Sequence, residues 1–160
     1  MRTTLLAIML MSFAFATAAA DTDVAYPEKY RNWRHVKSMV IQEGHPLFAS
    51  FGGIHHLYAN AKALQGYRSG KFPDGAVIAF DLLEALGADH ALTEGARKVL
   101  GVMQKDSKRF AATGGWGFEG FAGGDRTKRV VGAAAATACF ACHQPQKDRD
   151  YVFSAPRAGE

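Results

Sequence analysis

The stretch "ATACFACHQPQ", residues 136–146, constrains this chain more than any other. It holds the protein's two cysteines, Cys139 and Cys142, with His143 directly after the second. A disulfide closing so small a loop would gain almost no chain entropy. A redox pair would be expected near the start of a helix after a strand, in an α/β chain, and this motif follows "VVGAAAATA" instead. Zinc asks for four ligands, and no second Cys-x-x-Cys or His-x-x-x-His completes a tetrahedron. The spacing Cys-x-x-Cys-His is the attachment signature of a c-type haem. On a helical turn, residues three apart share a face, so both sulfurs reach one porphyrin edge. His143, next to the second anchor, is then placed to be the proximal iron ligand.

The N-terminus bears on the same question. "MRTTLLAIMLMSFAFATAAA" has a positive charge at Arg2, an apolar run from Leu5 to Ala16 and small residues before "DTD". This is the layout of a secretory signal peptide over residues 1–20, with Asp21 as the expected mature start. The run falls short of the ~20 residues a membrane span needs. The expectation is therefore an exported, periplasmic protein with no membrane span after signal removal. Residues 21–160 then form a single domain, long enough for a sizeable core. The net charge of +4 is scattered, without a basic stripe carrying interleaved aromatics, so nucleic acid is not an expected partner.

Along the mature chain, "YPEKYRNW" reads as a short helix, and "HVKSMVIQE" and "FGGIHHLYA" read as strands. "NAKALQGY" is helical with Asn60 as its cap, and "KFPDG" is a turn. Further strands follow in "AVIAFDLLEAL", "ARKVLGVMQKD" and "GWGFEGFAG", before an alanine-rich helix carries the Cys-x-x-Cys-His motif. The fold class is α+β: a mostly antiparallel β-sheet with flanking helices. Strand parity places Ile78, Phe80 and Leu82 on one face, and Phe51, Gly53 and His55 on one face of their own strand. His55 and His56 then point to opposite faces. His35, His45 and His90 read as surface or loop residues, and Lys105 to Arg109 as a solvated charged turn. Met39 and Met103 are candidates for a sixth iron ligand, though a single buried Met is more often packing.

The blocks "GGIHHLYANAKALQGYRSGKFPDGAVIAFDLLEA", "KDSKRF", "GGWGFEGF" and "CFACHQPQKDRDYVFS" resemble the family of cytochrome P-460 and cytochrome c-prime-beta. The similarity runs from about Tyr26 to Phe153. It implies an antiparallel sheet cradling one covalent haem c per chain, and a homodimer. In the lysine-cross-linked branch, which oxidises hydroxylamine, a lysine follows the "FPDG-x-V-I" segment. Phe80 stands at that place here, and the nearest lysine, Lys71, precedes the turn. That branch also carries an arginine where this chain has His55, and an acidic residue after the haem histidine, where this chain has Arg149 beside Asp150.

The c-prime-beta branch has two phenylalanines over the haem, with which Phe51 and Phe80 align, and His55 is a possible distal polar residue. The resemblance thus implies five-coordinate, His143-ligated iron binding nitric oxide or carbon monoxide for sensing, storage or detoxification. The alternatives are an enzyme oxidising hydroxylamine or nitric oxide, with a redox partner protein, and an electron-transfer cytochrome.

Overall fold

In the computed structural model, residues 23–157 are described, so the expected signal peptide lies outside the described residues. Five strands form one antiparallel sheet in chain order: β1 (Arg34–Ile41), β2 (Gly53–Ala59), β3 (Val77–Ala88), β4 (Ala91–Lys105) and β5 (Trp116–Ala122). The α+β class expected from the sequence is the one observed. Every connection joins neighbouring strands, the commonest arrangement for consecutive strands. The longest hairpin, β3 to β4, turns through Asp89 and His90, both with positive φ (50° and 61°). This is the conformation whose twist matches two-residue hairpins. Sequence reading ended the third strand at Leu86 and began the fourth at Ala96; pairing instead continues to Ala88 and Ala91.

Three helices and several short turns flank the sheet: α1 (Phe48–Phe51), α2 (Ala61–Ser69) and α3 (Ala141–His143). Asn60 caps α2 by accepting from the Ala63 amide at 2.8 Å. Its Oδ1 also accepts from the Val77 amide, and its Nδ2 donates to the Gly75 carbonyl. One side chain therefore ties the helix start to the head of β3. The "YPEKYRNW" segment is reduced to a single tight turn at Tyr30–Asn32.

Both faces of the sheet are covered. On one, Val36, Ala59, Ile78, Trp116 and Phe118 pack with Ala63 and Phe72, and the C-terminal segment adds Val152, Cys139 and Phe140. On the other, Ala79, Leu100, Val102 and Phe121 pack with Val24 and Tyr30 from the N-terminal segment. The strand register slips between His35 and Lys37, and the intervening Val36 is buried in the first cluster.

The second face also buries a charge. Asp81 is inaccessible and accepts from Arg97 Nε at 2.5 Å, Tyr30 Oη at 2.5 Å and Arg31 at 3.1 Å. A carboxylate removed from water needs such partners.

Candidate functional site

The chain from Gly132 to Arg149 is mostly helical but irregular, with a kink at Gln146. A tight turn at Gly132–Ala134 leads into wider π-type turns at Ala135–Phe140, then α3, then tight turns at Gln144–Arg149. Cys139 is half-buried against the first core cluster, and Cys142 is exposed; the two are not joined in a disulfide. Burial pushes the Cys139 thiol pKa up, helped by the nearby charges of Glu119 and Cys142.

The His143 ring leans on Phe118 (centroids 4.9 Å apart) and Phe153 (5.0 Å). Its Nδ1 lies 2.7 Å from the Tyr151 carbonyl oxygen. Because a carbonyl only accepts, Nδ1 carries the proton and the lone pair is on Nε2. Burial lowers the His143 pKa, against the raising effect of that hydrogen bond, so the neutral ring is favoured. An imidazole oriented through one nitrogen and basic at the other is what a metal ligand requires.

The Tyr151 carbonyl is itself held in place. Asp150 and Tyr151 both adopt left-handed backbone (φ 51° and 65°), which reverses the chain after the helical segment. Asp150 is clamped: Lys105 Nζ donates to Oδ1 at 2.6 Å, the Phe72 amide to Oδ2 at 2.8 Å, and Trp116 Nε1 to its carbonyl at 2.8 Å. Lys105 is thus a buried partner rather than part of a solvated turn, a correction to the sequence reading. Isolated charges in "QKDSKRF" carry no sign of a partner 45 residues away, so pattern reading had no signal for this pair.

On the same sheet face, in the next row along the strands, stands Phe80. Pairing sets the rows: Ile78, Met103 and Phe118 in one, then Leu57, Phe80, Gly101 and Gly120 in the next. Same-face rows are about 7 Å apart. The adjacent glycines leave low ground on the sheet; a Cβ on Gly101 would come within 3.2 Å of the Phe80 ring.

Phe51 meets Phe80 edge-on, with centroids 6.0 Å apart. It reaches there from the last turn of α1, not from a strand shared with His55, which corrects the parity argument. Strand β2 begins only at Gly53, whose φ of 134° and close approach to the Leu83 carbonyl exclude a side chain. Lys98 also donates to the Gly52 carbonyl at 2.7 Å, pinning this junction.

His55 and His56 do point to opposite faces: His55 pairs across to Met39 and Leu82, His56 to Ser38 and Asp81. His55 is buried, its ring 4.7 Å from that of Phe80, and its Nε2 donates to the Phe51 carbonyl at 2.5 Å. Its Nδ1 is buried without a hydrogen-bond partner, and burial is the main cause of its lowered pKa. Met103 packs in the first core cluster, and Met39 is exposed on β1. His45 and His90 are exposed, as expected, and His35 lies in β1, as the strand reading has it, but is half-buried rather than fully at the surface.

Among the described residues, no three His, Cys, Asp or Glu side chains converge on a metal position. The thiols and the imidazole are instead strung along one helical segment, a donor set suited to a macrocycle that brings its own metal. The chain matches the family model described as Cytochrome P460 over residues 27–154, and it belongs to that family. It is accordingly a haem-binding cytochrome. No curated protein matches the chain significantly.

Proposed function

We propose that the chain is an exported cytochrome that binds nitric oxide or carbon monoxide at one covalently attached haem c. Cys139 and Cys142 are the thioether anchors, each S–H adding across one vinyl group of the macrocycle. His143 is the proximal ligand through Nε2, and Phe51 with Phe80 caps the opposite side. The haem supplies an iron able to take a diatomic ligand; the protein decides which ligand is admitted.

One observation carries the reading: the edge-to-face pair of Phe51 and Phe80, with the His55 N–H turned to the Phe51 carbonyl. That cap is apolar and presents no donor, so it disfavours dioxygen, which gains from a distal hydrogen bond, more than carbon monoxide or nitric oxide. Phe80 has no amine to form the cross-link of the hydroxylamine-oxidising branch. Met103 stands in the Phe118 row beside His143, so it is poorly placed as a sixth ligand on the other side. A signal peptide at residues 1–20 fits maturation in the periplasm, and a homodimer fits the family.

The test is the absorption spectrum of the reduced protein, matured in cells that assemble c-type cytochromes, with and without carbon monoxide. The expected result is an ordinary c-type, five-coordinate spectrum that shifts on carbon monoxide addition, with pigment that resists acid-acetone extraction. A six-coordinate spectrum indifferent to carbon monoxide would overturn it in favour of electron transfer.

A further inference from the structure

The sheet face turned away from His143 carries an imidazole pair that the proposed gas chemistry does not use. His35 Nε2 lies 2.9 Å from Ser38 Oγ, and His56 Nδ1 lies 2.7 Å from the same oxygen. Two ring nitrogens from β1 and β2 therefore converge on one point, with ring centroids 5.7 Å apart. The far nitrogen of His56, Nε2, donates to Glu94 Oε1 at 2.6 Å. That proton position leaves the lone pair on Nδ1, aimed at the convergence point. A carboxylate behind an imidazole is the arrangement that orients metal-ligating histidines and raises their basicity.

We propose that His35 and His56 bind a divalent transition cation of the zinc type, with Glu94 as the positioning carboxylate of His56. Each nitrogen has to close by less than about 1 Å to reach the ~2.0–2.1 Å of a zinc–imidazole bond. The Ser38 hydroxyl, on an exposed residue, rotates aside to vacate that point, and water completes the shell. Imidazole pairs suit zinc, copper and nickel rather than calcium or magnesium.

The Arg157 contact opposes binding and sharpens the test. Arg157 donates to His35 Nδ1 at 3.1 Å, which fixes the His35 proton on Nε2. Ligation through Nε2 moves that proton to Nδ1, and Arg157, exposed near the C-terminus, must then leave. Removing Arg157 should thus favour the metal, whereas a network that only stabilises the strand edge would gain nothing from its loss.

The experiment is calorimetric titration of the tag-free holoprotein with zinc, followed in parallel by the side-chain NMR signals of the histidines. The expected result is one zinc per chain, with perturbation of His35 and His56 and an unchanged haem spectrum. His35→Ala or His56→Ala should weaken binding at least tenfold. Glu94→Gln should weaken it ~10-fold or more, and Arg157→Ala should tighten it. Should either histidine variant fold poorly, the NMR perturbation in the unmodified protein decides. Absence of saturable binding, or zinc signals confined to other histidines, overturns the proposal.

Discussion

His143 Nδ1 donates to the carbonyl of Tyr151, eight residues later, across 2.7 Å. That single bond fixes the tautomer, and with the flanking rings of Phe118 and Phe153 it fixes the ring plane. The acceptor is a backbone atom, so its supply depends on the conformation of residues 150–151 rather than on a side chain.

His143→Gly should therefore leave a cavity of imidazole shape with the Tyr151 carbonyl still in place. The pigment should stay attached through Cys139 and Cys142 but lose its proximal ligand field. Added imidazole should restore the parent absorption spectrum at millimolar levels. Lack of any recovery would mean that this helical segment collapses when the ring is removed.

Asp150→Asn tests the clamp beneath that carbonyl. Asn tolerates left-handed backbone and still accepts from the Phe72 amide, but Lys105 is left buried without its counter-charge. Breaking a buried pair by removing one partner costs ~3–5 kcal/mol. Urea unfolding should show a loss of that order. The proximal band should also shift, because the Tyr151 carbonyl relaxes with Asp150.

Asp81, a buried and paired carboxylate, makes stability depend on pH on the acid side. Burial by itself would raise its pKa; hydrogen bonds from Arg97 and Tyr30 and the Arg97 charge outweigh this and lower it. A carboxylate with a depressed folded pKa contributes stability above its unfolded value of ~3.9, and that contribution is lost as pH falls through the folded value. Asp81→Asn should lower stability at neutral pH and flatten the loss on acidification below about pH 4. Urea midpoints measured from pH 7 down to pH 3 would show it. A parallel downward shift at every pH would mean the charge does not matter.

The sequence disclosed the elements with local signals and little of what joins them. Strands β1 to β5 were readable because apolar alternation and turn residues are local, and Asn60 was readable as a cap for the same reason. Cys139, Cys142 and His143 stood out because their fixed spacing is a local signal, and the proposed attachment rests on that spacing. Phe51 was matched to the correct face for the wrong reason, since α1 is too short to show a helical period. The Lys105–Asp150 clamp, the Asp81 network and the His35–Ser38–His56 convergence were hidden, because each joins residues whose proximity arises only from sheet register or chain reversal.

The last prediction separates two roles for His55. Its Nε2–H is engaged by the Phe51 carbonyl and its ring packs on that of Phe80, so under the proposed function it would position the cap rather than touch a ligand. Phe80→Ala or Phe51→Ala should open the capped side and raise the carbon monoxide association rate several-fold, because an entering ligand no longer has to displace a ring. His55→Leu keeps an apolar side chain under Phe80 but frees the Phe51 carbonyl and loosens α1. It should also raise the association rate, by less than either Phe variant. The infrared stretching frequency of bound carbon monoxide distinguishes the mechanisms, since it responds to a nearby polar donor and is insensitive to a ring held one residue away. An unchanged frequency in His55→Leu with a faster rate supports positioning. A shifted frequency would place the His55 N–H against the ligand, and the apolar-cap reading would then fail.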